Sequence, residues 1–285
     1  MSAENMSSPD MILPDMILPD VAIIGGSGLY QLDGLEEIER RTRVTRWGEP
    51  SSEIVFMQTG QLSTGQSSTS QSSTSQSSTV PACRLAFIAR HGLQHTIAPH
   101  KINYRANLWA LKECGVKKVI AVAAVGGITD RMGPQTIVIP DQIIDYTHRS
   151  GHSFFEDELK QVTHIDFTWP YTASLRSQLL EAASRASIEA VDGGVYAATQ
   201  GPRLESAAEI TRLKRDGADI VGMTGMPEAS LARELGMEYA CCALVVNWAA
   251  GCAGTATIAH DEMQATLEKG MQQVKSLLVS ALQVI

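Results

Sequence analysis

Two hydrophobic rhythms alternate along this chain. Short unbroken apolar runs read as buried strands: Val21–Ile24, Glu53–Gln58, Cys83–Ala89, Lys118–Ala124, Thr136–Pro140, and Tyr239–Val246, which ends at Asn247. Between them lie segments whose apolar positions fall three or four residues apart, the spacing of a helix with one buried face. Asn103–Cys114 places Leu108 and Leu111 on such a face and meets a helix-ending glycine at Gly115. Thr172 stands as an N-cap ahead of Leu175, Leu179 and Ala183. Glu205–Asp216 reads as a helix stopped by Gly217, and Pro227 fits the first turn of one that ends at Gly236. Residues 260–282 carry a last stripe through Met263, Leu267, Met271, Val274 and Leu278. Strands and helices in alternation predict an α/β layered fold with a central, largely buried sheet, and ligands at its strand ends.

Two segments break the rhythm. Residues 11–20 hold Met-Ile-Leu-Pro-Asp twice, and residues 1–19 are expected to be a disordered N-terminal extension. Residues 61–80 are a low-complexity insert with Gln-Ser-Ser-Thr three times, expected to form a mobile tip between two strands. The folded domain is then expected over residues 20–285.

Composition narrows the classes. The 285 residues are 44% hydrophobic and 19% charged, enough for a large core. A net charge of −8 argues against a nucleic-acid partner, so a small anion would need a local basic site. The odd count of five cysteines, without metal-type spacing, favours a cytoplasmic location, and Cys241 and Cys242 read as small core residues. No apolar run approaches bilayer length, and the acidic start does not resemble a secretory signal.

The candidate chemistry sits where strands end. Gly25-Gly26-Ser27-Gly28 exposes backbone N–H groups beside a hydroxyl, a combination able to hold a phosphate oxygen. It does not complete a dinucleotide fingerprint, a Walker loop or a nucleophile elbow. Arg90 and His91 follow another strand, and an arginine there can fork onto phosphate. A zinc site from His91, His95 and His100 is disfavoured by Gly92 and Pro99, and no metal is expected. Small residues around Ala124 close a central strand in what reads as either a tight turn or a backbone approach to a ligand. Thr224 can donate to phosphate, and Met223 can lie under a sugar ring. Glu205 and Asn247 form the sharpest pair: a carboxylate accepts from N1–H of a 6-oxopurine, and an amide serves its O6 and N7.

Several of these segments, in order, resemble the methylthioadenosine phosphorylase branch of the trimeric purine nucleoside phosphorylases. They are Ile23–Leu29, Ala89–Thr96, Lys101–Lys112, Gln200–Arg203 and Asp219–Glu228. The resemblance implies a single-domain fold with a central mixed sheet flanked by helices, a homotrimer, inorganic phosphate as co-substrate, and no metal or organic cofactor. It implies phosphate binding by Ser27, Arg90, His91, the Ala124 backbone and Thr224, and ribose contact by Met223. Leu204 stands where the family usually has a phenylalanine against the base. His164 would reach a neighbouring subunit's 5′ site. His260 aligns with a histidine that ordinary purine nucleoside phosphorylases place on the 5′-hydroxyl. Adenine-specific members carry aspartates at the positions of Asn247 and Ala249, so the resemblance is greatest to the methylthioinosine phosphorylases.

The expected reaction is phosphorolysis of a purine (5′-methylthio)nucleoside, with 6-oxopurines preferred and Arg90, Glu205 and Asn247 as the principal catalytic groups. Methylthioadenosine or general inosine/guanosine phosphorolysis is the nearest alternative. Hydrolysis of the same nucleosides and non-catalytic nucleoside binding are rival classes. An acyl hydrolase using Ser27 is weaker, because Leu29 stands where its turn needs glycine.

Overall fold

The computed structural model describes residues 19–29, 32, 34–59, 84–148, 151–156, 162–254 and 257–285. The expected N-terminal extension up to residue 18 and the Ser/Thr/Gln insert lie outside these residues.

The apolar runs become β1 (Val21–Gly25), β3 (Ile54–Thr59), β4 (Arg84–Ala89), β5 (Lys118–Gly127), β6 (Ile137–Ile139) and β11 (Glu238–Trp248). Shorter strands join them: β2 (Leu35–Arg41), β7 (Gln142–Asp145), β8 (Ala190–Asp192), β9 (Val195–Ala198) and β10 (Ile220–Gly222). All belong to one mixed sheet running β2-β3-β4-β1-β5-β10-β9-β7, with β11, β6 and β8 branching from β5. The helices are α1 (Tyr104–Glu113), α2 (Ala173–Arg185), α3 (Ala207–Arg215), α4 (Gly225–Glu234) and α5 (His260–Ala281).

Alternation along each strand sends neighbours to opposite faces. Ile23, Ile120, Cys242 and Leu244 pack with Leu175 and Leu179 of α2 and with Leu267, Val274 and Leu278 of α5. Ile24, Val119 and Cys241 pack on the other side with Leu108 and Leu111 of α1 and Leu231 of α4. Burial raises both thiol pKa values, that of Cys242 to about 12, so these cysteines behave as apolar packing groups.

Most helix boundaries follow their sequence signals. The Asn103 side chain accepts from the Ala106 N–H, and Gly115 adopts φ 86° beyond α1. Met226 is extended (φ −119°, ψ 142°), so the regular part of α4 starts at Pro227. Thr172 departs from its expected role: its hydroxyl makes no capping bond and instead accepts from the Tyr239 N–H at 3.0 Å, tying α2 to β11. The helix read over Glu205–Asp216 begins later, because Ser206 caps it in a reciprocal box with Glu209. Glu205 is left in the preceding loop.

The long β5 decides where a ligand fits. Along one edge it pairs with β1 over Lys118–Ala121 and with β10 at Gly126–Gly127, in opposite directions. The two strands therefore run toward each other, and their exit turns meet over Val122–Val125. Along its other edge β5 pairs with β11 from end to end. The tight turn considered for Ala123–Gly127 is thus the continuation of a strand. Gly127 has to be glycine there, since a Cβ would lie 1.7 Å from the Met132 carbonyl oxygen.

Candidate active site

The gap in the edge of β5 opens into a cavity of about 470 Å³. Its wall includes Ser27, Arg90, His91, Ala124, Leu204, Glu205, Met223, Thr224 and Asn247. All the expected site residues except His164 and His260 therefore face one space.

One end of the cavity gathers two strand-exit turns, two hydroxyls and Arg90. β1 exits through Gly26 and Ser27, and β10 through Met223 and Thr224. Gly26 lies so close to β5 that a Cβ would sit 2.6 Å from the Val122 carbonyl oxygen and 3.2 Å from Arg90 Nη1. Only glycine admits this approach of backbone to backbone. Gly222 and Gly225 flank the second turn, and their missing side chains make room for Tyr196, whose hydroxyl would lie 2.2 Å from a Cβ on Gly222. The Thr224 hydroxyl is buried in the cavity wall and does not cap α4.

Arg90 is only 1% exposed and does not present the open fork expected of it. Its Nε and Nη2 donate to the two carboxylate oxygens of Glu228 at 2.6 and 2.8 Å. Its Nη1 donates to the Val122 carbonyl at 2.8 Å. Three of the five N–H bonds of a guanidinium are thereby committed, and the Nη1 edge faces the Gly26 turn. Burial opposes the charge on Arg90, but the Glu228 carboxylate outweighs it and raises the pKa.

His91 is held by its Nδ1, 2.8 Å from the Ile97 carbonyl. Burial, and then the adjacent Arg90 charge, lower its pKa to about 4. Near neutral pH the ring is uncharged, Nδ1 donates to the carbonyl, and Nε2 is an acceptor. His95 stands beside it, with ring centroids 4.6 Å apart and Nε2 at 3.4 Å from Ser27 Oγ.

The other end of the cavity presents an amide and a carboxylate, Asn247 and Glu205. A bulge at Val246 shifts the register of β11 against β5 just before Asn247. Such a bulge turns a strand-end side chain without ending the pairing. The Asn247 amide donates to the Trp248 carbonyl at 2.7 Å, which fixes its plane. Glu205 accepts from the Thr199 hydroxyl at 2.5 Å, which fixes the carboxylate at the cavity wall. Ala249 lines the same end and offers no charge. Leu204 is 47% exposed at the rim.

His260 does not line the cavity. It is exposed in the first turn of α5, and Ile258 and Met263 supply the wall there. His164 is exposed and lies outside the cavity of its own chain. Sequence reasoning missed Glu228 and Tyr239, because the bonds that join Arg90 to Glu228 and Glu228 to Tyr239 form only in three dimensions. The one signal for Glu228 was an acid directly after Pro227, where a helix N-terminus favours negative charge.

Comparison with known proteins agrees with this geometry. Residues 20–283 match the Phosphorylase superfamily. A protein of Pseudomonas syringae pv. tomato named "Probable S-methyl-5'-thioinosine phosphorylase" is 48% identical over 261 residues, 92% of this chain and 97% of the relative. The "6-oxopurine nucleoside phosphorylase" of Pyrococcus furiosus is 40% identical over 270 residues, 93% of this chain and 92% of the relative. Among solved structures, a methylthioadenosine phosphorylase from an antarctic soil metagenomic library superposes with a TM-score of 0.80 at 32% identity, covering 94% of this chain and 86% of the other. The methylthioadenosine phosphorylase of Schistosoma mansoni in complex with tubercidin gives a TM-score of 0.78 at 30% identity, covering 93% and 91%. With its cavity between two opposed strand ends and a match over nearly its whole length, the chain belongs to the phosphorylase superfamily.

Proposed function

We propose that this chain catalyses phosphorolysis of a purine 5′-methylthionucleoside, releasing the free base and 5-methylthioribose 1-phosphate, with 6-oxopurines preferred over adenine. The observation that carries this reading is the opening of the Ser27–Thr224 cradle and the Asn247–Glu205 pair into one cavity.

Phosphate enters the cradle with Ser27, Thr224, the Ala124 backbone and the Nη1 edge of Arg90 around it. Neutral His91 offers Nε2 as acceptor to the single O–H of hydrogen phosphate. As the glycosidic bond lengthens, positive charge grows on the ribosyl ring above Met223. The phosphate dianion stabilises that charge and then bonds to the anomeric carbon. The electron pair of the broken bond moves into the purine. Asn247 meets the resulting density at N7 and O6, and Glu205 accepts from N1–H. An aspartate in place of Asn247 would face O6 as a second acceptor, and an unpaired buried acceptor is costly. Inorganic phosphate is a co-substrate here, and the scheme uses no cofactor.

Ile258 and Met263 support the methylthio substituent over a hydroxyl, since an apolar wall gains by burying a thioether and gives a hydroxyl no partner. The reading includes a homotrimer in which His164 reaches a neighbour's cavity, and a cytoplasmic location. Among the described residues no helix is long and apolar enough to cross a membrane.

The test compares methylthioinosine, methylthioadenosine, inosine and guanosine, each with and without phosphate. Phosphate-dependent release of hypoxanthine, fastest from methylthioinosine, is expected. Equal release without phosphate would make the chain a hydrolase, and no release would make it a binding protein.

A further inference from the structure

The committed fork of Arg90 raises the question of what Glu228 does behind the wall of the cavity. Both side chains are 1% exposed, and they meet fork to fork. A third group completes the assembly: the Tyr239 hydroxyl donates to Glu228 Oε1 at 2.9 Å. Glu228 belongs to the first turn of α4, Tyr239 to β11, and Arg90 to the exit of β4. The Arg90 backbone N–H is itself bonded to the Gly25 carbonyl at 3.0 Å, so the main chain is tied to the β1 exit while the side chain is tied to α4 and β5.

A buried ion pair is a poor stabiliser of a fold, because desolvating both charges offsets their attraction. Here the pair does something else. It takes the side-on edge of the guanidinium, the Val122 carbonyl takes one Nη1 hydrogen, and Nη1 with its remaining N–H is held beside the Gly26 turn. A guanidinium on a flexible stem would otherwise sample many rotamers, and fixing it in advance removes that ordering cost from ligand binding.

Resting on the phosphorolysis reading, we propose that Glu228, braced by Tyr239, is the positioning residue for Arg90 and sets the affinity for phosphate rather than for the nucleoside. Its carboxylate touches no substrate. It acts through the angle at which Arg90 meets the oxyanion, and substitutions there should separate the two substrates kinetically.

The experiment uses the full chain with inorganic phosphate and methylthioinosine. Glu228→Gln keeps one acceptor but loses the charge that grips both nitrogens, and the KM for phosphate is expected to rise about tenfold. The dissociation constant of methylthioinosine in phosphate-free buffer, measured by calorimetry, is expected to stay within about twofold of wild type. Tyr239→Phe removes only the brace and is expected to raise the phosphate KM about threefold. If Glu228→Gln does not fold, Tyr239→Phe alone decides the matter by the same split. An unchanged or lowered phosphate KM, or equal weakening of both substrates, overturns the assignment. Failure of the underlying reading is distinguishable, because wild-type enzyme would then release base without any dependence on phosphate.

Discussion

Asn247 follows the bulged Val246 directly, and that one extra residue aims its amide into the cavity that Glu205 enters from the loop after β9. The amide comes from β11 and the carboxylate from the loop between β9 and α3, 42 positions apart in sequence. In the proposed reaction their convergence carries the choice of base.

Replacing Asn247 by Asp tests that choice. The aspartate accepts from the exocyclic amine of adenine and opposes O6 of hypoxanthine. The ratio of kcat/KM for methylthioinosine to that for methylthioadenosine should fall at least tenfold, corresponding to about 1–3 kcal/mol. An unchanged ratio would show that Asn247 does not face the base.

The depressed pKa of His91 gives a pH dependence of stability. In the unfolded chain His91 takes up a proton near pH 6.5, but in the folded chain only near pH 4. Between these values the unfolded state holds more protons, so stability rises with pH. The contribution is complete above about pH 6.5 and is lost as the pH falls toward 4, by about 3 kcal/mol. Denaturant midpoints measured across this range should show the slope, and His91→Gln should flatten it. Equal slopes for the two proteins would mean that other groups carry the acid sensitivity.

At the 5′ end, Met263 and His260 predict opposite results. Met263→Ser removes apolar wall and should lower the preference for methylthioinosine over inosine about tenfold. His260→Ala should leave both substrates within about twofold, because the imidazole is exposed outside the cavity. Loss of inosine turnover in His260→Ala would instead assign the 5′-hydroxyl to that histidine.

Much of this was legible in the chain itself, for physical reasons that differ by element. The buried strands β1, β5 and β11 announced themselves because both their faces meet helices, which makes their central positions apolar. Edge strand β2 did not, since its Leu-Glu-Glu-Ile-Glu-Arg-Arg sequence is mostly exposed and is held by pairing with β3 alone. Strands β7 to β9 are too short for periodicity to register. The cavity residues could be found one by one from strand-end glycines and polar punctuation. The engagement of Arg90 by Glu228 could not, because a partner 138 positions away leaves no local trace. Thr172 illustrates the same limit: a hydroxyl in the capping position found a better donor in the Tyr239 N–H of another element.

The head-on meeting of β1 and β10 along one side of β5 has a further consequence. The turns that leave these two strands approach their neighbours so closely that Gly26 and Gly222 have no room for a side chain, so that part of the cavity tolerates little change. The surfaces to which the proposed function gives the sorting of nucleosides are side chains on β11, on the loop before α3 and at the start of α5. Selectivity can therefore drift from one purine or one 5′ group to another while the bond-breaking apparatus stays fixed.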